Sequence, residues 1–195
     1  MLHRVTVSGV ATQPIRQAVL TRLRHDAYPS TMIAVVACFG NVLRADDGVG
    51  PAVAQALADQ GLPDGVRVLE VGIGGIHLVQ ELLSGVDLLL IVDAVDLGRP
   101  PGSVVVQRPQ VLDVRTLSVE RRRDELADMH LASPARALMM ALGLGVLPAA
   151  TWLVGIQTTD TVEPRQGLSE QTARAVPLAV QEVRRLLSAH PQAAS

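Results

Sequence analysis

At 195 residues, 48% of them hydrophobic, the chain has the size for one domain around one buried core. A formal net charge of -2 and a pI near 6.2 provide no positive field to draw in phosphate backbones or anionic lipid, so neither nucleic acid nor a membrane surface is expected as a partner. The three aromatics (Tyr28, Phe39 and Trp152) offer no stacking platform for single strands, and all 17 basic residues are arginine, which removes Schiff-base and phosphate-loop lysine chemistry.

Residues 1–30 carry Arg4, Arg16, Arg22 and Arg24 ahead of the first acid, Asp26, and read as an extension appended to the fold. The continuous apolar run 32–39 predicts a strand covered on both faces and stopped by Gly40. Its single cysteine, Cys38, reads as a small buried hydrophobe in a reducing compartment. Residues 51–60, alanine-rich with apolar side chains at helical spacing, predict a helix ended by Gly61-Leu62-Pro63. A second strand is expected over 66–71, then a glycine turn (Gly72, Gly74, Gly75) and a helix over 76–83. The third strand, 87–95, is the most apolar. After Gly98-Arg99-Pro100-Pro101-Gly102, residues 103–107 read as an edge strand. The polar stretch 108–128, with Arg121-Arg122-Arg123, reads as an exposed excursion. A helix over 133–142, a strand over 151–156, a helix over 169–187 and a short tail over 189–195 complete the chain. Strands alternating with helices define an α/β domain over 31–188, a three-layer α/β/α sandwich around a mostly parallel, twisted sheet. No run approaches the roughly 18 apolar residues of a membrane span, and a cytoplasmic location is expected.

In such a sheet, catalytic groups gather beyond the carboxyl ends of the strands, where loops converge and helix amino termini point. Asp46 and Asp47 follow the first strand, Asp93 and Asp96 close the third, and His130 precedes a helix. Two carboxylates and an imidazole from three loops suit a divalent metal with coordination positions left open. Each residue also has a plainer reading. Asp46 and Asp47 suit caps for the following helix, and His130 alone is an ordinary histidine. Asp93 is harder to dismiss, because a carboxylate inside LLLIVDAV needs a partner if it is buried. The run Gly72-Ile73-Gly74-Gly75 lacks the third glycine of a dinucleotide loop, so no nucleotide cofactor is expected.

The segment FGNVLRADDGVGPAVAQAL (39–57) closely resembles the amino-terminal signature of the nickel-iron hydrogenase maturation endopeptidases. The resemblance continues through LLLIVDAVDLGRPPGSVVV (88–106), His130 ahead of a helix, and LVGIQTTDTVEPRQGLSE (153–170), covering roughly 32–187. It implies a phosphorylase/hydrolase-like sandwich in which Asp47, Asp93 and His130 bind a metal and serve catalysis. It also implies nickel supplied by the substrate, the large-subunit precursor of a hydrogenase, whose carboxyl-terminal extension is removed. Gly40, Asn41, Asp46, Gly74, Gly75 and His77 are the expected substrate contacts. One loop departs from the family pattern. Where many relatives have an aspartate-glycine-glycine-threonine-like sequence after the second strand, this chain has Glu70-Val71-Gly72-Ile73, which bears on which hydrogenase is recognised. The rival expectations are a non-catalytic metallochaperone for the same precursor and a small-molecule hydrolase or transferase with an enclosed pocket at the same rim.

Overall fold

Strand β1 (Ala34–Phe39) is buried at all six positions, and this decides the architecture, since a strand apolar on both faces needs cover on both. The computed structural model describes residues 32–72, 75–121, 123 and 134–190. The extension over 1–30, the end of the tail over 191–195, and Gly74, Arg122 and His130 therefore lie outside the described residues.

Four further strands follow: β2 (Val66–Gly72), β3 (Leu88–Val95), β4 (Val104–Gln107) and β5 (Ala150–Gln157). They form one sheet in the order β2-β1-β3-β5-β4, parallel throughout except for β4, which runs antiparallel along β5 as an edge strand. Helices α1 (Val49–Gln60) and α4 (Glu170–Ala189) line one face, and α2 (Gly75–Leu83) and α3 (Pro134–Gly143) line the other.

The alternation of a strand deals its side chains to the two layers. Ala34, Val36 and Cys38 of β1 join Leu88, Leu90 and Val92 of β3 against Val53, Leu57, Ala179 and Val183. Val35, Ala37 and Phe39 join Leu89 and Ile91 against Leu78, Leu82 and Leu138. The expected α/β/α sandwich is thus the observed one. Among the described residues, no helix is long and apolar enough to cross a membrane.

From β1 the chain moves outward to β2 and then returns to pair β3 on the other side of β1. The carboxyl ends of β1 and β3 therefore flank the point where the winding direction reverses, the place where sheets of this kind gather ligands. Helix α1 begins at Val49, two residues before the expected start, because Pro51 then falls in the first turn, where a missing N–H costs nothing.

Two glycines let the chain double back tightly over the end of β1. Gly40 has φ +130°, and a Cβ there would lie 1.9 Å from the Asp47 carbonyl oxygen. At Gly50, within α1, a Cβ would lie 1.8 Å from the Phe39 carbonyl oxygen. Alanine normally favours a helix over glycine by about 1 kcal/mol. Gly50→Ala is expected to reverse that sign, lowering the unfolding free energy in urea by about 2–3 kcal/mol through backbone overpacking.

Candidate functional site

The loop after β1 carries Gly40, Asn41, Asp46 and Asp47 at the carboxyl end of the strand. Gly40 turns the chain, and Asn41 opens an Asx turn in which its Oδ1 accepts from the Leu43 N–H at 2.9 Å. A 3-10 turn over Ala45–Gly48 then places Asp47 back over the strand end, where its Oδ2 accepts from the Asn41 N–H at 2.9 Å. Neither Asp46 nor Asp47 caps the turn or α1, so the helix-cap reading of the pair is not what the structure shows.

Asp93 lies at the rim end of β3, opposite Gly155 of β5 and partly buried. Burial, and then the neighbouring charge of Asp47, push its carboxyl up to about pKa 7, against which the Ala94 backbone N–H acts in the opposite direction. Burial raises Asp47 as well, with the Asn41 N–H and the positive charge of Arg44 opposing the rise. The charge of Asp47 thus adds to the burial that disfavours an ionised Asp93. Two neighbouring acids, one of them raised by burial, form a set that a divalent cation would satisfy. Among the described residues no third His, Cys, Asp or Glu completes a metal-binding group.

Asp46 has a different environment from its neighbour. It is 0% exposed, so no substrate can touch it. Its Oδ1 accepts from the Ser169 N–H at 2.6 Å, and its Oδ2 from the Ser169 and Thr159 hydroxyls at 2.9 and 3.1 Å. Burial alone would raise its pKa, but these donors outweigh it and hold the carboxylate ionised. The expected substrate contact at Asp46 is thus replaced by an internal bond to the β5–α4 loop.

The structure places the other described candidates as follows. Gly75 packs closely on α3, with a Cβ there reaching 3.1 Å from Ala137 Cβ, and His77 is an exposed residue of α2. Asp96 is exposed beyond β3 and accepts from the Gly98 N–H and Gln157 Nε2. Burial raises Cys38 to about pKa 12, with the charge of Glu70 adding to it, which removes it as a nucleophile.

Gln157, Thr159 and Ser169 were not singled out from sequence. Gln157 is buried at the end of β5, and its Oε1 accepts from the Leu97 and Arg99 N–H groups, fixing the loop beyond β3. The signal that was available is the polar run Gln157-Thr158-Thr159-Asp160 directly after an apolar strand at the rim.

A family profile described as hydrogenase maturation protease matches residues 51–186. The chain belongs to this family. Maturation proteases solved from other organisms share its fold: the maturating endopeptidase HybD of Escherichia coli is 25% identical, with a TM-score of 0.64, covering 83% of this chain and 95% of that one. A hydrogenase 2 maturation peptidase from a Thaumarchaeota archaeon is 31% identical, with a TM-score of 0.57, covering 80% and 97%. Among curated relatives, the hydrogenase expression/formation protein HupM of Azotobacter chroococcum is 32% identical over 62% of this chain and 55% of its own length. The alignment thus spans just over half of that relative. A putative hydrogenase maturation protease of Methanocaldococcus jannaschii is 29% identical over 76% of this chain and 92% of its own.

The raised pKa of Asp93 in this maturation protease fold has a thermodynamic consequence of definite sign. The folded protein holds the Asp93 proton more tightly than the unfolded chain does, so this group's contribution is fully present below about pH 4 and is lost as pH rises to about 7. Asp93→Asn removes the loss. Unfolding titrations should show no advantage for this variant near pH 4 and an advantage on the order of 2 kcal/mol at pH 8, after allowance for solvent screening. Equal stabilities at both pH values would contradict the arrangement.

Proposed function

We propose that this protein is an endopeptidase that removes the carboxyl-terminal extension from the nickel-loaded large subunit of a nickel-iron hydrogenase. Asp47, Asp93 and His130 bind the substrate's nickel. The observation that carries the reading is the coupled Asp47–Asp93 pair at the switch point of the sheet, in a chain of the maturation protease family. The family assignment supports a hydrogenase precursor as partner, as do relatives named as hydrogenase maturation endopeptidases. His130 lies four residues ahead of Pro134, where α3 begins on the face of the sheet that also packs Leu89 and Ile91, the β3 residues in alternation with Asp93. It is the third ligand of the proposal. A cytoplasmic location is part of the same reading, in keeping with the free thiol of Cys38.

In the free protein burial and the charge of Asp47 raise Asp93 to about pKa 7, so a large share of it holds its proton at neutral pH, which relieves the repulsion from Asp47. Binding of a divalent cation displaces that proton and leaves both carboxylates ionised. Nickel delivered with the substrate supplies Lewis acidity beside the scissile carbonyl, so no serine or cysteine nucleophile is required. Asp47, oriented by the Asn41 N–H, accepts the proton of the attacking water and returns it to the departing amide nitrogen. Discrimination follows from the same chemistry: a precursor without nickel leaves the carboxylate pair without the charge that draws it together.

The test is intact-mass measurement of nickel-loaded precursor before and after incubation with the protein. Loss of the carboxyl-terminal peptide is expected with wild type and is expected to slow by roughly 100-fold or more in Asp47→Ala, Asp93→Ala and His130→Ala. Binding with no loss of mass would mark a metallochaperone instead. Undiminished processing by any of the three variants would remove that residue from the proposed site.

A further inference from the structure

Among the described residues, Asp46 is the only charged side chain that is buried, and its carboxylate accepts from Thr159 and Ser169 of the segment between β5 and α4. The main chain is tied to the same segment. The Ala45 N–H donates to the Arg165 carbonyl at 2.7 Å and the Asp46 N–H to the Asp160 carbonyl at 2.9 Å. The Arg165 N–H donates back to the Leu43 carbonyl at 3.2 Å, and Arg44 bridges Arg165. Between these ties Ala45 is held at φ +46°, the one non-glycine residue with positive φ among those described. A residue with a Cβ keeps that conformation only where its surroundings impose it.

Asp47 itself bonds locally, through its N–H to the Arg44 carbonyl and its carboxylate to the Asn41 N–H. Its position is therefore fixed by Asn41 and Arg44 of the same loop, and residues 43–46 of that loop are held by the β5–α4 segment. We propose that this segment is a positioning element for the hydrolysis, acting through Asp46 to hold Asp47 in register with the peptide. Thr159 and Ser169 thereby set the rate of the reaction through Asp46 and not through contact with Asp47. The inference rests on the functional reading above. Its physical basis is the steep dependence of rate on placement, in which a displacement of about 1 Å costs on the order of 100-fold.

Thr159→Val removes one hydroxyl bond to Asp46 with little change of volume, and Thr159→Ser restores the hydroxyl. Amide hydrogen exchange at Ala45, Asp46 and Asp47 is read beside steady-state cleavage of the nickel-loaded precursor. Thr159→Val should speed exchange at these three amides while α1 and α4 keep their protection. It should also lower kcat about tenfold with KM within about twofold, a fraction of the full misplacement cost, and Thr159→Ser should match wild type in both measurements. An unchanged kcat despite faster exchange would overturn the proposal. So would a lowered kcat with unchanged exchange or with a raised KM, which would mark Thr159 as a substrate contact. Full activity in the control Asp47→Ala would instead sink the functional reading, and with it this role, whatever the exchange result.

Discussion

Two acidic side chains from separate loops are held close enough at the ends of β1 and β3 for one to suppress ionisation of the other. Nothing in folding favours that arrangement. Burial penalises each charge and proximity penalises both, so the rest of the fold must supply what keeps them in place. The sheet supplies most of it. β1 and β3 are paired along most of their length and buried on both faces, and neither can slip by one residue without moving a row of apolar side chains into the wrong layer. Asp93 is positioned because it is the next residue of a strand whose preceding five are all buried.

Asp47 has no such strand beneath it and depends on loop chemistry. The chain leaves β1 through Gly40, closes an Asx turn at Asn41, and returns so tightly that the Asp47 carbonyl occupies the space a Cβ at residue 40 would need. Gly50 then allows α1 to start against the Phe39 carbonyl. The reversal therefore rests on two glycines and on the buried carboxylate of Asp46 beside Asp47. A destabilised site held by a rigid frame is the usual compromise between stability and activity.

The pair also explains why protonation and cation binding belong to the same account. A carboxyl raised to about pKa 7 is a poor ion pair for an arginine, and a divalent cation bound there would favour its ionised form. The rim of a parallel sheet suits such a site, since strand ends and helix amino termini converge there without closing it off.

The sequence alone determined the layers, because period-two burial and unbroken apolar runs leave few alternatives for strands such as Ala34–Phe39 and Leu88–Val95. It also pointed to one rim for Asp47 and Asp93, the first in the loop after β1 and the second near the carboxyl end of β3. The different fates of Asp46 and Asp47 were decided only in three dimensions. Neighbours in a 3-10 turn point about 120° apart, and what each meets depends on a segment more than a hundred residues away in the chain. The same holds for Gly75, whose partner is Ala137, and for Gln157, whose amide fixes a loop beyond a different strand. Local pattern fixes periodicity and burial, whereas contacts between distant segments exist only after the sheet has brought them together.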